Sequence, residues 1–491
     1  MKKFFNWQAM TYSQKFLTLF LIFSALMWTL IPTSYYQSLH LDPAETLMWG
    51  STFNLGNAKH PPMSGYMLYN FCRIFNFANF SIFLASQLCV VFGFLYIYKL
   101  ARCFYDRNKS VMATLLITFY FIYNYETPKF NANIPHILFI PMMCYYFYRG
   151  VTANKLKHWV LLSVSGACAI LSKYYAGIIF LPFFAYMLFD KTARKSFLSY
   201  KPYVAGAVFF LLLSPHLYHL YKTDFLVFNY ISHGGVKQYN YFTQIGVMAV
   251  VIIVPILCMG AAAIVTYALS ERKLPLAKLQ IANFAAFKYT TIVLGGQAAV
   301  IMCMALTNQR METMWTFPLY FTAGIFLMSF YQGESTDKTL HVFAKLAIIF
   351  AVIMMSIDLI YSNTKSSFRR HLKKEIVRHA AEDFYFQNTN SHKIPFVIGD
   401  IWLASMLQNT YKYSIKACPD MDPILTNLHI DKIKSSGALV VTPFPKGCSA
   451  NIKKTFGVDL VWQKFEFPYQ AKFGKKKLHT VYFAILPPGK K

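Results

Sequence analysis

Charge is scarce in this chain of 491 residues: Asp, Glu, Lys and Arg together make up 14%, and acids contribute only 20 residues. With 56% hydrophobic residues, 47 Phe, 34 Tyr, 21 Met and a mean hydropathy of +0.36, the composition excludes an ordinary soluble globule of this length. The apolar residues fall in runs of roughly 15–25, about the length that crosses a bilayer as a helix, so the chain reads as a polytopic α-helical membrane protein. The first run, 16–32, has the basic flank of a secretory signal in Lys2, Lys3 and Lys15. It lacks a small-residue cleavage site after it and reads as an uncleaved first span. The last 130 or so residues lack any long apolar run.

Eleven spans are expected, at about 16–32, 81–98, 111–125, 134–148, 158–171, 175–189, 203–220, 243–269, 289–306, 314–331 and 342–361. With the N-terminus inside, the inside segments hold 19 basic residues and the outside loops seven, namely Lys59, Arg73, Lys129, Lys173, Lys222, Lys237 and Arg310. That asymmetry follows the positive-inside rule. An odd number of spans then places the C-terminal part outside. The division expected is a transmembrane part, 1–361, and a small α/β extracytoplasmic domain, 362–491, with strand-like segments at Phe396–Asp400, Ala438–Thr442 and Thr480–Ala484. This domain carries 21 Lys and Arg against nine Asp and Glu, which suits anionic headgroups and equally a solubilising basic surface. Its two cysteines, Cys418 and Cys448, are read with equal weight as a disulfide or as two unrelated thiols.

The expected spans carry almost no charge, which argues against a transporter path with ionisable groups at the midplane. The unusual polar clusters instead fall on one side. The outside face receives 42–62, 126–133, 172–174, 221–241 and 308–313. Acids and cations at headgroup level suit transfer from a lipid-linked sugar, where a carboxylate takes a proton from an acceptor hydroxyl and cations stabilise the departing phosphate. Asp42 and Glu45, one helical turn apart, are the candidate catalytic acids. Lys59, His60, Lys173 and Arg310 are the candidate phosphate-binding cations, and Asn133, Glu126 and Trp49 the candidate substrate contacts.

These residues carry a resemblance. Asp42-x-Ala44 with Trp49 downstream, Pro61-Pro62 after a basic residue, Asn133-Ile134-Pro135 entering a span, Leu171-Ser172-Lys173-Tyr174 and Ser214-Pro215 occur in the order seen in one family. The chain resembles the polyprenyl-phosphate-sugar-dependent membrane glycosyltransferases, a GT-C group (glycosyltransferase family 39) that contains protein O-mannosyltransferases and bacterial lipid A aminoarabinose transferases. The resemblance implies an inverting glycosyltransferase in the bacterial cytoplasmic membrane. Its expected partners are a polyprenyl-phosphate sugar donor, a lipid A, glycolipid or protein acceptor, and membrane lipids, with no nucleic acid. Two positions depart from the pattern. Lys59 stands where relatives usually carry an acid, and Asn133 where they carry an aspartate; Glu45 or Glu126 are the acids available to substitute. No cofactor is certain: a divalent metal is chemically admissible, but the ligand spacing does not support one.

Plainer readings stand beside these. Asp42 before Pro43 suits a helix start, with or without catalysis. Lys59 and His60 also fit solvated loop residues, Lys173 a snorkelling anchor, and Arg310 a local pair with Glu312. Trp49 belongs first to an interfacial aromatic belt. A flippase of lipid-linked glycans and a non-catalytic envelope-assembly protein are the alternative functions; release of free polyprenyl phosphate separates the enzyme from both.

Overall fold

The computed structural model describes residues 7–120, 122–228, 241–271, 280–306, 313–419 and 423–489. In chain order the helices begin with α1 (Tyr12–Tyr35), two short helices α2 (Leu41–Gly50) and α3 (Met63–Ile74), α4 (Asn79–Ala101) and α5 (Arg107–Leu115). They continue with α6 (Ile134–Ala153), α7 (Leu156–Ser172), α8 (Phe180–Phe189), α9 (Tyr200–Lys222), α10 (Tyr241–Glu271), α11 (Phe284–Leu306) and α12 (Asp337–Thr364). Among the described residues six helices are long and apolar enough to cross a membrane: α1, α4, α9, α10, α11 and α12.

These six coincide with six of the eleven expected spans. Of the other five, α6 is a continuous helix of 20 residues over the expected 134–148, α7 is one of 17 residues over 158–171, and three are broken. The segment expected at 111–125 is α5 followed by a 3-10 turn, Leu116–Phe119, and a π turn, Ile122–Glu126. The segment at 175–189 opens with a 3-10 turn, Tyr174–Ile179, before α8, and bends by 95° into 191–198. The segment at 314–331 is mostly a 3-10 stretch, Thr313–Thr322. Hydropathy registers apolar length but not backbone continuity, and non-helical backbone at membrane depth is tolerated where other helices cover it. Leu116, Ile117, Leu319, Tyr320 and Phe321 are indeed buried.

Helices α4 and α6 lie against each other at a close approach. A Cβ at Gly93 would run into the Ile137 carbonyl oxygen, so only glycine fits. At one end of the bundle the loops expected inside come together: Asn108 Nδ2 donates to the Ser335 carbonyl (2.8 Å), Ser335 Oγ to Asp106 (2.6 Å), and Lys338 Nζ to the Ser270 carbonyl (3.0 Å). The loops carrying the candidate site gather at the other end, described below.

Beyond α12 the chain forms α13 (Lys374–Gln387), β1 (Phe396–Gly399), α14 (Ile401–Thr410), β2 (Lys416–Pro419), α15 (Pro423–Ser436), β3 (Ala438–Thr442), α16 (Pro445–Phe456), β4 (Gln463–Tyr469) and β5 (Lys477–Leu486). The sheet order is β2-β1-β3-β5-β4. The pairs β1/β2 and β1/β3 are parallel, and β3/β5 and β4/β5 antiparallel. The three expected strand segments are β1, β3 and part of β5; β2 and β4 were not expected. Gly399 turns the chain from β1 into α14 at φ +116°, and Asp400 caps that helix by accepting from the Leu403 N–H at 2.9 Å. Of the two readings of the cysteines, the structure carries the thiols: Cys418 Sγ donates to the Leu425 carbonyl at 3.7 Å, and no disulfide joins it to Cys448.

Helix α14 locks this sheet onto the membrane part. Trp402 Nε1 donates to the Leu39 carbonyl (2.8 Å), Ser405 Oγ meets Met48 Sδ (3.3 Å), and Gln408 Nε2 donates to Ser51 Oγ (3.3 Å), all buried. Helix α2, which starts the candidate site, is therefore clamped between the bundle and the C-terminal sheet.

Candidate functional site

Helix α2 is only ten residues long, too short to be stable alone, and is held by tertiary burial from Pro43 to Gly50. It begins at Leu41, so Asp42 is a first-turn residue and not the cap; His40 holds that position without a side-chain capping bond. A carboxylate in the first turn complements the helix dipole.

Two asparagine side chains then link Asp42 to Lys173. Asn131 Nδ2 approaches Asp42 Oδ2 at 3.5 Å, while Asn131 Oδ1 accepts from the Asn133 N–H (2.8 Å) and from Asn133 Nδ2 (3.1 Å). Asn133 Oδ1 accepts from Lys173 Nζ at 2.8 Å. An acid and a cation, both half-buried, thus sit at the two ends of a relay of neutral amides. Lys173 lies in extended backbone just after α7, which points the chain out of the helix at this level.

One turn along α2 from Asp42, Glu45 is buried and accepts from Lys59 Nζ with both oxygens, at 2.9 and 3.2 Å. Lys59 Nζ also lies 5.9 Å from the Trp49 ring, and His60 meets that ring edge-on at 5.7 Å. Burial, followed by the charges of Lys173 and Lys59, holds the His60 imidazolium well below its ordinary pKa, so His60 is neutral near pH 7. Trp49 Nε1 is buried with no hydrogen-bond partner among the described residues. Asp42, Glu45, Trp49, Lys59, His60, Asn133 and Lys173 are thus brought to one end of the bundle.

Glu126 is held by a near neighbour in the chain. It pairs with Lys129 at 2.9 Å, and Lys129 stacks on Tyr125 at 4.6 Å. Arg310, with Glu312, lies outside the described residues. Among the described residues no group of three or more His, Cys, Asp or Glu could hold a metal ion, and two of the local acids are already engaged by lysines.

Several contributors had no signal in the sequence. Arg370, just past α12, donates to Ser362 Oγ (3.0 Å) and Tyr125 OH (3.4 Å), stacks on Tyr361 and Tyr36, and its carbonyl accepts from the Gln37 N–H at 2.7 Å. Burial, with Lys129, Arg370 and Arg369 nearby, pulls the His40 imidazole down to about 3. A second set of cations therefore flanks α2 beside the one from Lys59 and Lys173. His216 had a faint signal, the Ser214-Pro215 pair before it. Its Nδ1 meets the Leu55 carbonyl at 2.6 Å and its Nε2 meets Tyr174 OH at 2.7 Å. A carbonyl only accepts, so Nδ1 carries the proton and Tyr174 donates to Nε2. This bridge ties the 51–62 loop to the Lys173 turn.

Comparison with known proteins bears on the fold and on part of the sequence. Residues 59–219 match the family described as dolichyl-phosphate-mannose-protein mannosyltransferase. That stretch includes Lys59, His60, Asn133 and Lys173, and begins after Asp42, Glu45 and Trp49. The whole fold is similar to that of ArnT from Cupriavidus metallidurans bound to undecaprenyl phosphate, at TM-score 0.59 and 11% identity, covering 95% of this chain and 97% of that one. The apo state of the same protein gives TM-score 0.60 at 11% identity, covering 96% and 98%. No curated relative matches the sequence significantly.

Proposed function

From a chain with the fold of ArnT and, over residues 59–219, the pattern of the mannosyltransferase family, we propose an inverting glycosyltransferase that takes its sugar from a polyprenyl-phosphate donor. The observation that carries this reading is the amide relay joining Asp42 to Lys173. A direct ion pair would neutralise both ends; a relay of neutral amides keeps a carboxylate and a cation apart and oriented. The donor phosphate would sit against Lys173 and Lys59, whose ammonium groups suit phosphate as point charges. The acceptor hydroxyl would sit near Asp42.

In one displacement the acceptor oxygen attacks the anomeric carbon. The bond from that carbon to the phosphate oxygen breaks, its electron pair stays on the phosphate, and the hydroxyl proton goes to Asp42. Attack opposite the leaving group inverts the anomeric centre. Glu45 acts through Lys59 as a positioning residue, since it is buried and held by that side chain. Trp49 offers a ring face and a donor to the sugar. His60, being neutral, adds a hydrogen bond rather than a charge. The acceptor is an envelope molecule such as lipid A, another glycolipid or a protein. The site faces outward from the bacterial cytoplasmic membrane, with residues 362–491 as the extracytoplasmic domain.

Lys173→Ala and Lys222→Ala, both assayed with reconstituted protein and labelled donor lipid, test the phosphate assignment. Lys222 is an exposed cation at the end of α9 and serves as the control. Lys173→Ala should reduce turnover on the order of 100-fold, the scale for losing one preorganised electrostatic contact, with Lys222→Ala near wild type. Equal activities would reduce Lys173 to a membrane anchor.

A further inference from the structure

At the far end of the two helices that frame the site there is a second basic cavity. It measures about 510 Å³ and is lined by Lys99, Arg102, Cys103, Tyr145, Tyr148 and Arg149. Helix α4 starts at Asn79, whose side chain meets the Tyr36 carbonyl (3.3 Å) and Lys374 Nζ (3.1 Å) on the candidate-site side. It runs 23 residues before reaching the cavity, roughly 33 Å at the helical rise. Helix α6 likewise starts next to Asn133 and ends at the cavity. Along α6 the 16 residues from Asn133 to Arg149 rise roughly 24 Å, so most of a hydrocarbon thickness separates the two sites, and this one lies on the face expected inside.

Three cations converge here. Arg102 donates to the Tyr105 carbonyl, a neutral acceptor, and Arg149 lies beside the Cys103 side chain. Lys99 Nζ lies 4.4 Å from the Tyr96 ring. No carboxylate lines the cavity among the described residues. Like charges gathered in one concavity repel unless an anion joins them, and a basic pocket between transmembrane helices at the inner leaflet has the chemistry of a phosphate headgroup site. The flank of the cavity suits a chain attached to that phosphate. Phe92, two turns deeper on the same face of α4 as Lys99, is 49% exposed, and Tyr96 packs with Tyr145 and Tyr146 between them.

We propose that this cavity is a binding site for the phosphate of an anionic amphiphile, held by Lys99, Arg102 and Arg149, and separate from the transferase site. Phosphate is the group recognised, whether a lipid or a soluble molecule presents it. The inference does not rest on the transferase reading. The test compares the purified full chain with Lys99→Gln/Arg149→Gln and with Arg107→Gln, an exposed cation on the same face that does not line the cavity. One arm measures retention of dioleoyl phosphatidylglycerol against dioleoyl phosphatidylcholine by native mass spectrometry. The other measures the shift in unfolding temperature with inorganic pyrophosphate.

Wild type and Arg107→Gln should prefer phosphatidylglycerol, and the double variant should bind it on the order of 30-fold more weakly, each single change contributing about 5-fold. The singles keep the test open should the double variant not be recovered. Pyrophosphate stabilisation lost in the double variant, with no lipid preference, supports the site and assigns it to a soluble phosphate. If neither arm distinguishes the double variant from wild type, or Arg107→Gln loses as much, the proposal is overturned.

Discussion

The pair formed by Glu45 and Lys59 is unequal, and that inequality predicts how each half responds to removal. The Glu45 side chain is 5% exposed and that of Lys59 27%. Lys59→Gln removes the cation from which both oxygens of the buried Glu45 accept, and breaking a buried pair costs about 3–5 kcal/mol. Glu45→Gln leaves a lysine that reaches water by rotating, so its cost should fall nearer about 1.5–3 kcal/mol, the net scale of a hydrogen bond to a charged group. The double variant should cost less than the sum of the singles, with a coupling of roughly 2 kcal/mol, because it removes both halves of the pair together. Unfolding of the reconstituted protein in mixed micelles measures all three. Kinetics separate position from catalysis: Glu45→Gln should raise KM for the donor lipid through a loosened Lys59 and leave kcat within about 10-fold, well short of the loss of a general base. Equal and additive stability costs would refute the buried pair. A collapse of kcat at unchanged KM would make Glu45 a catalytic acid instead.

Three further outcomes follow from the same geometry. Asp42→Asn should lose on the order of 100-fold or more in turnover, the range for a general base, yet cost at most about 1 kcal/mol of stability as a first-turn acid; near-normal turnover would remove Asp42 from the chemistry. Because the folded-state pKa of His60 is depressed, the unfolded chain takes up the proton first. The stability from neutral His60 is thus complete above about pH 6.5 and falls as pH drops, by at most about 1.4 kcal/mol per pH unit, and His60→Gln should flatten that slope between pH 6.5 and 5 while His40 keeps a residual one. Single cysteines at Leu55 and Asn390, both exposed, should react with an impermeant thiol reagent in intact cells lacking the native nine cysteines, and one at Arg107 should react only after the membrane is opened; labelling of Leu55 and Asn390 from opposite sides would break the single composite face.

Much of this was legible in the sequence, and the gaps have physical causes. Spans such as α1, α4 and α12 announce themselves by apolar length alone. The breaks at 116–126 and 313–322 do not, because their cover comes from neighbouring helices. Helix α2 was legible only as a helix start at Asp42-Pro43 within a loop, and α3 not at all, since the burial of α2 is completed by α14, some 350 residues away. Asp42, Lys59, His60 and Lys173 stood out because acids and cations are rare here, and Asn133 because it opens the Asn133-Ile134-Pro135 motif. Asn131 and Arg370 were not found, as an asparagine in a loop and an arginine in a basic segment look ordinary until the fold aims them. Glu45 stood out as a candidate catalytic acid by its helical spacing from Asp42, and that spacing could not show the bond from Lys59 on which its proposed positioning role rests.

The central claim is the transfer itself, and the most direct measurement is product formation by the purified chain in proteoliposomes. Supplied with a radiolabelled polyprenyl-phosphate sugar and an envelope lipid extract, the wild type should release free polyprenyl phosphate and give a glycosylated acceptor of inverted anomeric configuration, with both products reduced on the order of 100-fold in Asp42→Asn and in Lys173→Ala. Movement of intact donor lipid between leaflets without release of polyprenyl phosphate, unchanged in either variant, would contradict the account and leave a carrier of lipid-linked glycans in its place.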